Sequence, residues 1–274
     1  MVDKLANRMI VNVLGVPGIL LLIGLGSYYF ALFILIVMII ALYEFYLINR
    51  IKQANPNIWY GLTITILIAL YYFFIPLLNM YQSLSIIISL IIIAMITELF
   101  RRKPNSTHNL TSTLAGILYV PVLLGTLIAL RNWDTANGAH ITYAVFISVW
   151  ICDSVAYAAG KLWGKKKIYP EVSPNKTVVG TVGGIFGALF TIVVLNQIGF
   201  LGILFSWTHI LIFTLIIGVF GQTGDFVESL FKRDAGIKDS GKLLMGHGGV
   251  LDRFDSLLLA SPLTFIFVNQ IFQY

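Results

Sequence analysis

The sequence predicts an all-α, polytopic integral membrane protein with about nine transmembrane helices and a cytoplasmic-facing polar site in its C-terminal half. Of its 274 residues, 58% are hydrophobic and only 11% are charged, less than half of the roughly 25% charged residues in an ordinary soluble domain. The mean hydropathy is +0.89. This composition excludes a soluble or nucleic-acid-binding protein, because the polar residues are too few to cover the surface of a globule.

Apolar runs of about the 20 residues needed to cross a bilayer predict the helices in order. They lie near residues 9–26, 28–48, 59–78, 82–99, 113–130, 139–160, 178–198, 201–221 and 254–272. Lys4 and Arg8 precede the first run as in a signal peptide, but no persuasive cleavage site follows, so we expect a retained helix. The first five runs form a predicted N-terminal segment, residues 1–135, and the last four a catalytic segment, residues 136–274.

The basic residues predict the orientation. With the N-terminus in the cytoplasm, every one of the 18 lysines and arginines except Arg131 falls in a cytoplasmic segment. This asymmetry follows the positive-inside rule and explains the net charge of +6 without any nucleic-acid partner. Within the seventh run, Gly180, Gly183, Gly184 and Gly187 have the spacing of small residues that let membrane helices pack closely.

Two acids stand out in the N-terminal segment. Glu44 and Glu98 each lie near the cytoplasmic end of a predicted helix. We expect both to be interfacial carboxylates, paired with Arg50 or with Arg101 and Arg102.

Polar residues are concentrated after the eighth run. Half of the 12 acids lie between residues 221 and 256, where an unpaired charge at membrane depth would cost about 2.5–3.5 kcal/mol. Asp225, Glu228, Ser229 and Lys232 have the i, i+3, i+4, i+7 spacing of one helix face. Asp252 and Asp255 share a face of the next helix. Carboxylates on two such faces are suitable oxygen ligands for Mg²⁺, together with substrate phosphates.

The segment between these two helices has the composition of a phosphate site. Glycines 246, 248 and 249 surround His247 and let the backbone approach a ligand closely. Positive charge for phosphate oxygens is available from Lys232, Arg233, Lys238, Lys242 and Arg253. The alternative is a solvated, salt-bridged loop, which explains neither the glycines nor the acids that run into apolar helices. We expect Asp234 to be merely a solvated loop charge.

A second polar cluster lies at residues 153–184. Asp153 falls within the sixth run. Ser173, Lys176 and Thr177 directly precede the seventh helix, where hydroxyls, an ammonium group and free backbone N–H groups can meet a phosphate.

At these residues the sequence resembles the CDP-diacylglycerol synthases, also called phosphatidate cytidylyltransferases. The resemblance is carried by Ser229-x-x-Lys232-Arg233, Lys238-Asp239-x-Gly241 and Gly246-His247-Gly248-Gly249-x-x-Asp252-Arg253-x-Asp255. It covers roughly residues 140–274 well, whereas the first half matches mainly in helical character and in the Tyr43-Glu44 pair. Two positions depart from the family pattern: Val179 stands in place of a polar residue, and Met245 in place of a proline.

The resemblance implies condensation of CTP with phosphatidic acid to CDP-diacylglycerol and pyrophosphate. It implies that Asp225 and Asp252 ligate Mg²⁺, with a monovalent cation such as K⁺ beside it, and that the protein is a homodimer. From the length of the chain we expect a bacterial inner membrane. We expect catalytic roles for Asp225, Lys232, Asp252, Arg253 and Asp255, and substrate binding by Ser173, Lys176, Thr177, Ser229, Arg233, Lys238, Asp239, His247, Gly248 and Gly249. We expect no side-chain nucleophile, and Ser229 is the candidate if one exists.

Two other functions compete with this interpretation. A related kinase of polyprenols or other lipid alcohols would share the fold but transfer the γ-phosphate of the nucleotide. A cation-coupled transporter would also explain intramembrane acids, but its polar groups should lie near the bilayer midplane in repeated halves.

Overall fold

The structure is a computed structural model that describes residues 2–74, 80–202, 205–241 and 248–272, and within these residues the chain is helical without a β-strand. The helices are α1 (Val2–Leu25), α2 (Ser27–Ile51), α3 (Ile58–Phe74), α4 (Met80–Arg101), α5 (Ser106–Ile117), α6 (Leu123–Asn132), α7 (Gly138–Trp163), α8 (Val178–Gln197), α9 (Trp207–Leu215), α10 (Gln222–Asp234) and α11 (Leu251–Phe272). Short π-helical segments, Leu118–Val122 and Ile216–Gly221, join α5 to α6 and α9 to α10.

The all-α class and the membrane-spanning character are confirmed. Seven of the described helical stretches are long and apolar enough to cross a membrane. They are Tyr28–Ile51, Gln82–Arg101, Ser106–Asn132, Gly138–Trp163, Val178–Gln197, Trp207–Asp234 and Leu251–Ile271. At the two other predicted positions, the stretches that could be assessed among the described residues are Leu14–Leu25 and Ile58–Phe74, so the count of nine stays a prediction.

The helix of the eighth apolar run continues beyond its apolar residues, as the spacing of the acids predicts. The apolar run ends near residue 221, and the helix continues as α10 to Asp234. The reason is that hydropathy marks only the apolar part of a helix, whereas the backbone hydrogen bonds continue through polar residues. Asp234 therefore ends a helix rather than lying in a loop, and it forms an exposed ion pair with Lys52 at the end of α2.

Helices from both predicted segments build one hydrophobic core. The last helix, α11, contacts α2 and α6 as well as α7. The glycine face of α8 packs directly on α7, as expected: a Cβ atom on Gly180 would lie 2.7 Å from the carbonyl oxygen of Ala156, and one on Gly183 would lie 2.8 Å from Cβ of Ala159. The division of the chain at residues 135 and 136 stays a prediction.

Contacts between helix ends gather the basic segments at one end of the bundle. Arg101, at the end of α4, donates to the carbonyl oxygen of Asn55 at 2.9 Å. Arg233, at the end of α10, donates from Nε to the carbonyl oxygen of Val172 at 3.2 Å. Together with the Lys52–Asp234 pair, these contacts join the segments after α2, α4, α7 and α10. We call this the basic end of the bundle.

Candidate active site

The acidic face of α10 forms as its spacing predicts. Asp225, Glu228, Ser229 and Lys232 lie along one side of this helix, with Glu228, Ser229 and Lys232 buried. The hydroxyl of Ser229 donates to Oδ1 of Asp225 at 3.2 Å. The π-helical segment Ile216–Gly221 directly precedes this face, and such segments occur often at functional sites.

Lys232 joins α10 to α11. Its ammonium group lies 2.5 Å from Oδ1 of Asp252 and also pairs with Glu228 one turn earlier on α10. The side chains of Lys232, Glu228 and Asp252 are only 10%, 1% and 9% exposed. The two carboxylates compensate the positive charge of the buried ammonium group. The ammonium group in turn holds the first turn of α11 against the last turn of α10.

The other oxygen of Asp252 organises the backbone of the polar segment. Its Oδ2 accepts hydrogen bonds from the backbone N–H of Gly249 at 2.6 Å and of Ser240 at 3.0 Å, and lies 3.0 Å from Oγ of Ser240. Gly248 has a φ of +82° and lies so close to Oδ2 that a Cβ atom would overlap it. A glycine is therefore required at this position for both reasons.

A second group of charges, next to the Lys232–Asp252 pair, consists of three carboxylates around one lysine. Asp153 on α7, Asp225 on α10 and Asp255 on α11 interact electrostatically with one another and with Lys176. The ammonium group of Lys176 lies 2.8 Å from Oδ2 of Asp225 and 4.2 Å from the centroid of the Phe226 ring. The cluster thus places three carboxyl groups beside a single ammonium group.

Close packing of α10 on α11 creates this cluster. A Cβ atom on Gly224 would overlap the carbonyl oxygen of Asp255, so the absence of a side chain lets the two helix backbones approach. Asp225 and Asp255 are brought together as a result.

The segment before α8 contributes its predicted residues in different ways. Thr177 is buried, and its Oγ1 accepts the backbone N–H of Gly180 at 3.1 Å, so it is the N-cap of α8. Lys176 faces the carboxylate cluster. Ser173 is half-buried in a turn, where its backbone N–H donates to the carbonyl oxygen of Tyr169 at 2.9 Å.

The remaining predicted site residues have varied surroundings. Arg233 holds two loop carbonyl groups, those of Val172 and Ile237. Lys238, Asp239 and Arg253 are exposed at the basic end. The predictions for His247, and for the neighbouring Lys242, Met245 and Gly246, fall outside the described residues.

Glu44 belongs to this site, which sequence reasoning missed. The expected pairing with Arg50 is wrong: its carboxylate, 4% exposed, instead accepts the backbone N–H of Val250 at 3.1 Å and of Leu251 at 2.9 Å. The sequence places these residues too far apart for any local pattern to join them, and the only signal was the Tyr43-Glu44 pair. The expected pairing of Glu98 with Arg101 is confirmed, since Arg101 donates to it at 2.6 Å.

The donor chemistry fits a hard divalent cation that also contacts phosphate. Among the described residues, no group of three or more His, Cys, Asp or Glu side chains could hold a metal ion alone. Mg²⁺ typically takes one or two carboxylates and completes its shell with water and substrate phosphates. Asp225 and Asp252 carry such oxygens, and a bound cation would relieve the mutual repulsion between Asp225 and the neighbouring carboxyl groups of Asp153 and Asp255.

The chain is similar in sequence to several known proteins. A family model described as the cytidylyltransferase family matches residues 6–271. The phosphatidate cytidylyltransferase of Bacillus subtilis is 46% identical over 150 residues, which cover 55% of this chain and 54% of that protein. The phosphatidate cytidylyltransferase of Staphylococcus saprophyticus is 48% identical over 136 residues, which cover 50% of this chain and 52% of that protein. That of Staphylococcus aureus (strain COL) is 47% identical over 135 residues, which cover 49% of this chain and 51% of that protein.

The matches to these relatives thus span about half the length of each of them, whereas the family model extends over nearly the whole sequence. Because that match exceeds half of the chain, the chain belongs to the cytidylyltransferase family.

Proposed function

We propose that this protein synthesises CDP-diacylglycerol from CTP and phosphatidic acid. A phosphate oxygen of phosphatidic acid forms a bond to the α-phosphorus of CTP, while the bond from that phosphorus to the bridging oxygen breaks and pyrophosphate leaves with the electron pair. Membership of the cytidylyltransferase family and the name phosphatidate cytidylyltransferase of its relatives support this reaction.

The observation that carries the proposal is the pairing of acids with lysines across helices at the basic end. Lys176 pairs with Asp225, and Lys232 pairs with Asp252. A reaction between two polyanions needs charge neutralisation and alignment more than a covalent intermediate. This arrangement supplies both ammonium groups for phosphates and carboxylates for a metal ion.

The side chains take the following proposed roles. Lys176, Lys232 and Arg253 bind phosphate oxygens, and Asp255 supports Asp225 across the α10–α11 contact. Asp225 and Asp252 would hold Mg²⁺, with a monovalent cation such as K⁺ nearby. When bound, Mg²⁺ supplies neutralisation of phosphate charge. Ser229 donates its hydroxyl hydrogen to Asp225, and we assign it no covalent step.

We further propose that the basic end faces the cytoplasm of a bacterium, where CTP is present, and that the N-terminus lies on the same side. The distribution of lysine and arginine supports this orientation. We also propose a homodimer, as the family resemblance implies. The helix Gln82–Arg101 is only 11% buried within its own chain, which leaves room for lipid or a second copy to cover it.

The test is a lipid-dependent assay of the full chain in mixed micelles. We expect Mg²⁺-dependent release of one pyrophosphate for each CDP-diacylglycerol, only when both CTP and phosphatidic acid are present. A lipid-alcohol kinase would instead release CDP and place the γ-phosphate of CTP on a lipid alcohol. A transporter would release neither product, and either result would overturn the proposal.

A further inference from the structure

Glu44 contacts the backbone at the start of α11 although it lies on α2. Its Oε1 accepts the N–H of Val250 at 3.1 Å, and its Oε2 accepts the N–H of Leu251 at 2.9 Å. The first N–H groups of a helix have no partner within the helix, and the partial positive charge of a helix N-terminus favours a carboxylate. Glu44 therefore supplies from another helix what a local cap would otherwise supply.

A serine links this carboxylate to Asp252. Oγ of Ser240 lies 3.1 Å from Oε2 of Glu44 and 3.0 Å from Oδ2 of Asp252. The backbone N–H of Ser240 also donates to Asp252 at 3.0 Å. Glu44, Ser240 and Asp252 thus form one connected polar network, and a change at Glu44 reaches Asp252 through a single intervening residue.

The loop backbone is packed directly on the Glu44 carboxylate. A Cβ atom on Gly241 would overlap Oε1 of Glu44, and one on Gly249 would overlap Oε2. Both glycines lie within the sequence signature of the C-terminal half. Their lack of a side chain lets the backbone at these two positions approach a carboxylate from the N-terminal half.

We propose that Glu44 is a positioning residue of the active site: it fixes Ser240 and the backbone of Val250 and Leu251, and thereby the carboxylate of Asp252, for the transfer of the cytidylyl group. This inference rests on the proposed function. It also makes α2 part of the catalytic apparatus, although Glu44 itself touches no reactant.

The test compares Glu44→Gln with Glu98→Gln. The amide of glutamine keeps the size of the side chain but turns one acceptor into a donor that faces a backbone N–H. Glu98 is a matched control, since it is 5% exposed and equally near a basic helix end, but it pairs with Arg101 and Asn109. Ser240→Ala is the second variant, because it removes only the linking hydroxyl.

Two measurements on the full chain separate positioning from folding. Hydrogen exchange of a peptide spanning residues 248–255 should accelerate by about 10-fold or more in Glu44→Gln, the effect expected from losing a hydrogen bond to a charged group. The kcat for CDP-diacylglycerol should fall by about 10- to 100-fold with a smaller change in the KM for CTP. Ser240→Ala should change both quantities in the same direction but less, and Glu98→Gln should change neither.

Parental exchange and parental kcat in Glu44→Gln would overturn the inference. So would equal losses in Glu98→Gln, because the effect would then be general destabilisation. If the parent forms no CDP-diacylglycerol while exchange still responds only to Glu44 and Ser240, the proposed function fails and the network itself stands.

Discussion

The ammonium group of Lys232 lies 2.5 Å from the carboxylate of Asp252, across the junction of α10 and α11. Each charge sits at the helix end that its sign favours, a cation in the last turn of α10 and an anion in the first turn of α11. Loss of one partner from a buried pair of this kind costs about 3–5 kcal/mol, because the other charge stays buried without compensation. Lys232 therefore stabilises the helix junction and also places a positive charge in the site.

The assignment of the metal ligands can be tested with a matched set of variants. Asp225→Asn and Asp252→Asn each remove one anionic oxygen ligand, so activity should fall by about 100-fold or more. Binding of Mn²⁺, followed by electron paramagnetic resonance of the purified protein, should weaken in both variants. Asp234→Asn is the control, because Asp234 lies at the exposed end of α10 and pairs only with Lys52 among the described residues. Parental Mn²⁺ binding in Asp225→Asn would show that this carboxylate is structural.

At position 253 we expect activity to depend on the geometry of the side chain and not on its charge alone. It is exposed directly after Asp252 at the basic end. Arg253→Lys should lower kcat/KM by about tenfold, because a point charge does not replace the two parallel hydrogen bonds of a guanidinium group to phosphate. Arg102→Lys, at the residue directly after α4, should keep parental kinetics. The idea is wrong if both variants behave alike in steady-state assays with CTP and phosphatidic acid.

The contact between α10 and α11 requires a residue without a side chain at position 224. Gly224→Ala should destabilise the protein by about 1–3 kcal/mol, because the added methyl group overlaps the carbonyl oxygen of Asp255. Gly18→Ala is the matched control within α1, where nothing lies within 4 Å of an added Cβ atom. Thermal unfolding in detergent should show a lower Tm for Gly224→Ala alone. An unchanged Tm of Gly224→Ala would mean that α10 and α11 can move apart without loss of stability.

Orientation can be tested at the two ends of α8. Asn175 and Gln197 are both exposed; Asn175 lies shortly before α8, and Gln197 is the last of its 20 residues. With the N-terminus in the cytoplasm, a membrane-impermeant maleimide should label Gln197→Cys in intact cells and Asn175→Cys only after permeabilisation. The single native cysteine, Cys152, is 1% exposed and should contribute little background. Labelling of both positions from the same side would contradict the nine-helix topology.

The sequence alone determined the helical class, the approximate positions of the helices and the acidic faces of α10 and α11. These features are local: an apolar run specifies a spanning helix, and the i, i+3 spacing places two side chains on one face whatever the helix packs against. The pairing of Glu98 with Arg101 was predictable for the same reason, since it joins residues within one turn of α4.

Tertiary structure alone decided which polar groups meet across helices. Lys176 could have paired with any acid at its end of the bundle, and only the packing of α8 against α7 and of α10 against α11 places it beside Asp225. Glu44 is separated from Leu251 by 207 positions, and its interfacial location was equally compatible with Arg50. A buried carboxylate takes the donors that the surrounding helices bring within about 3 Å, and the arrangement of those helices is set by the packing of the whole core rather than by the residues adjacent to the carboxylate in sequence.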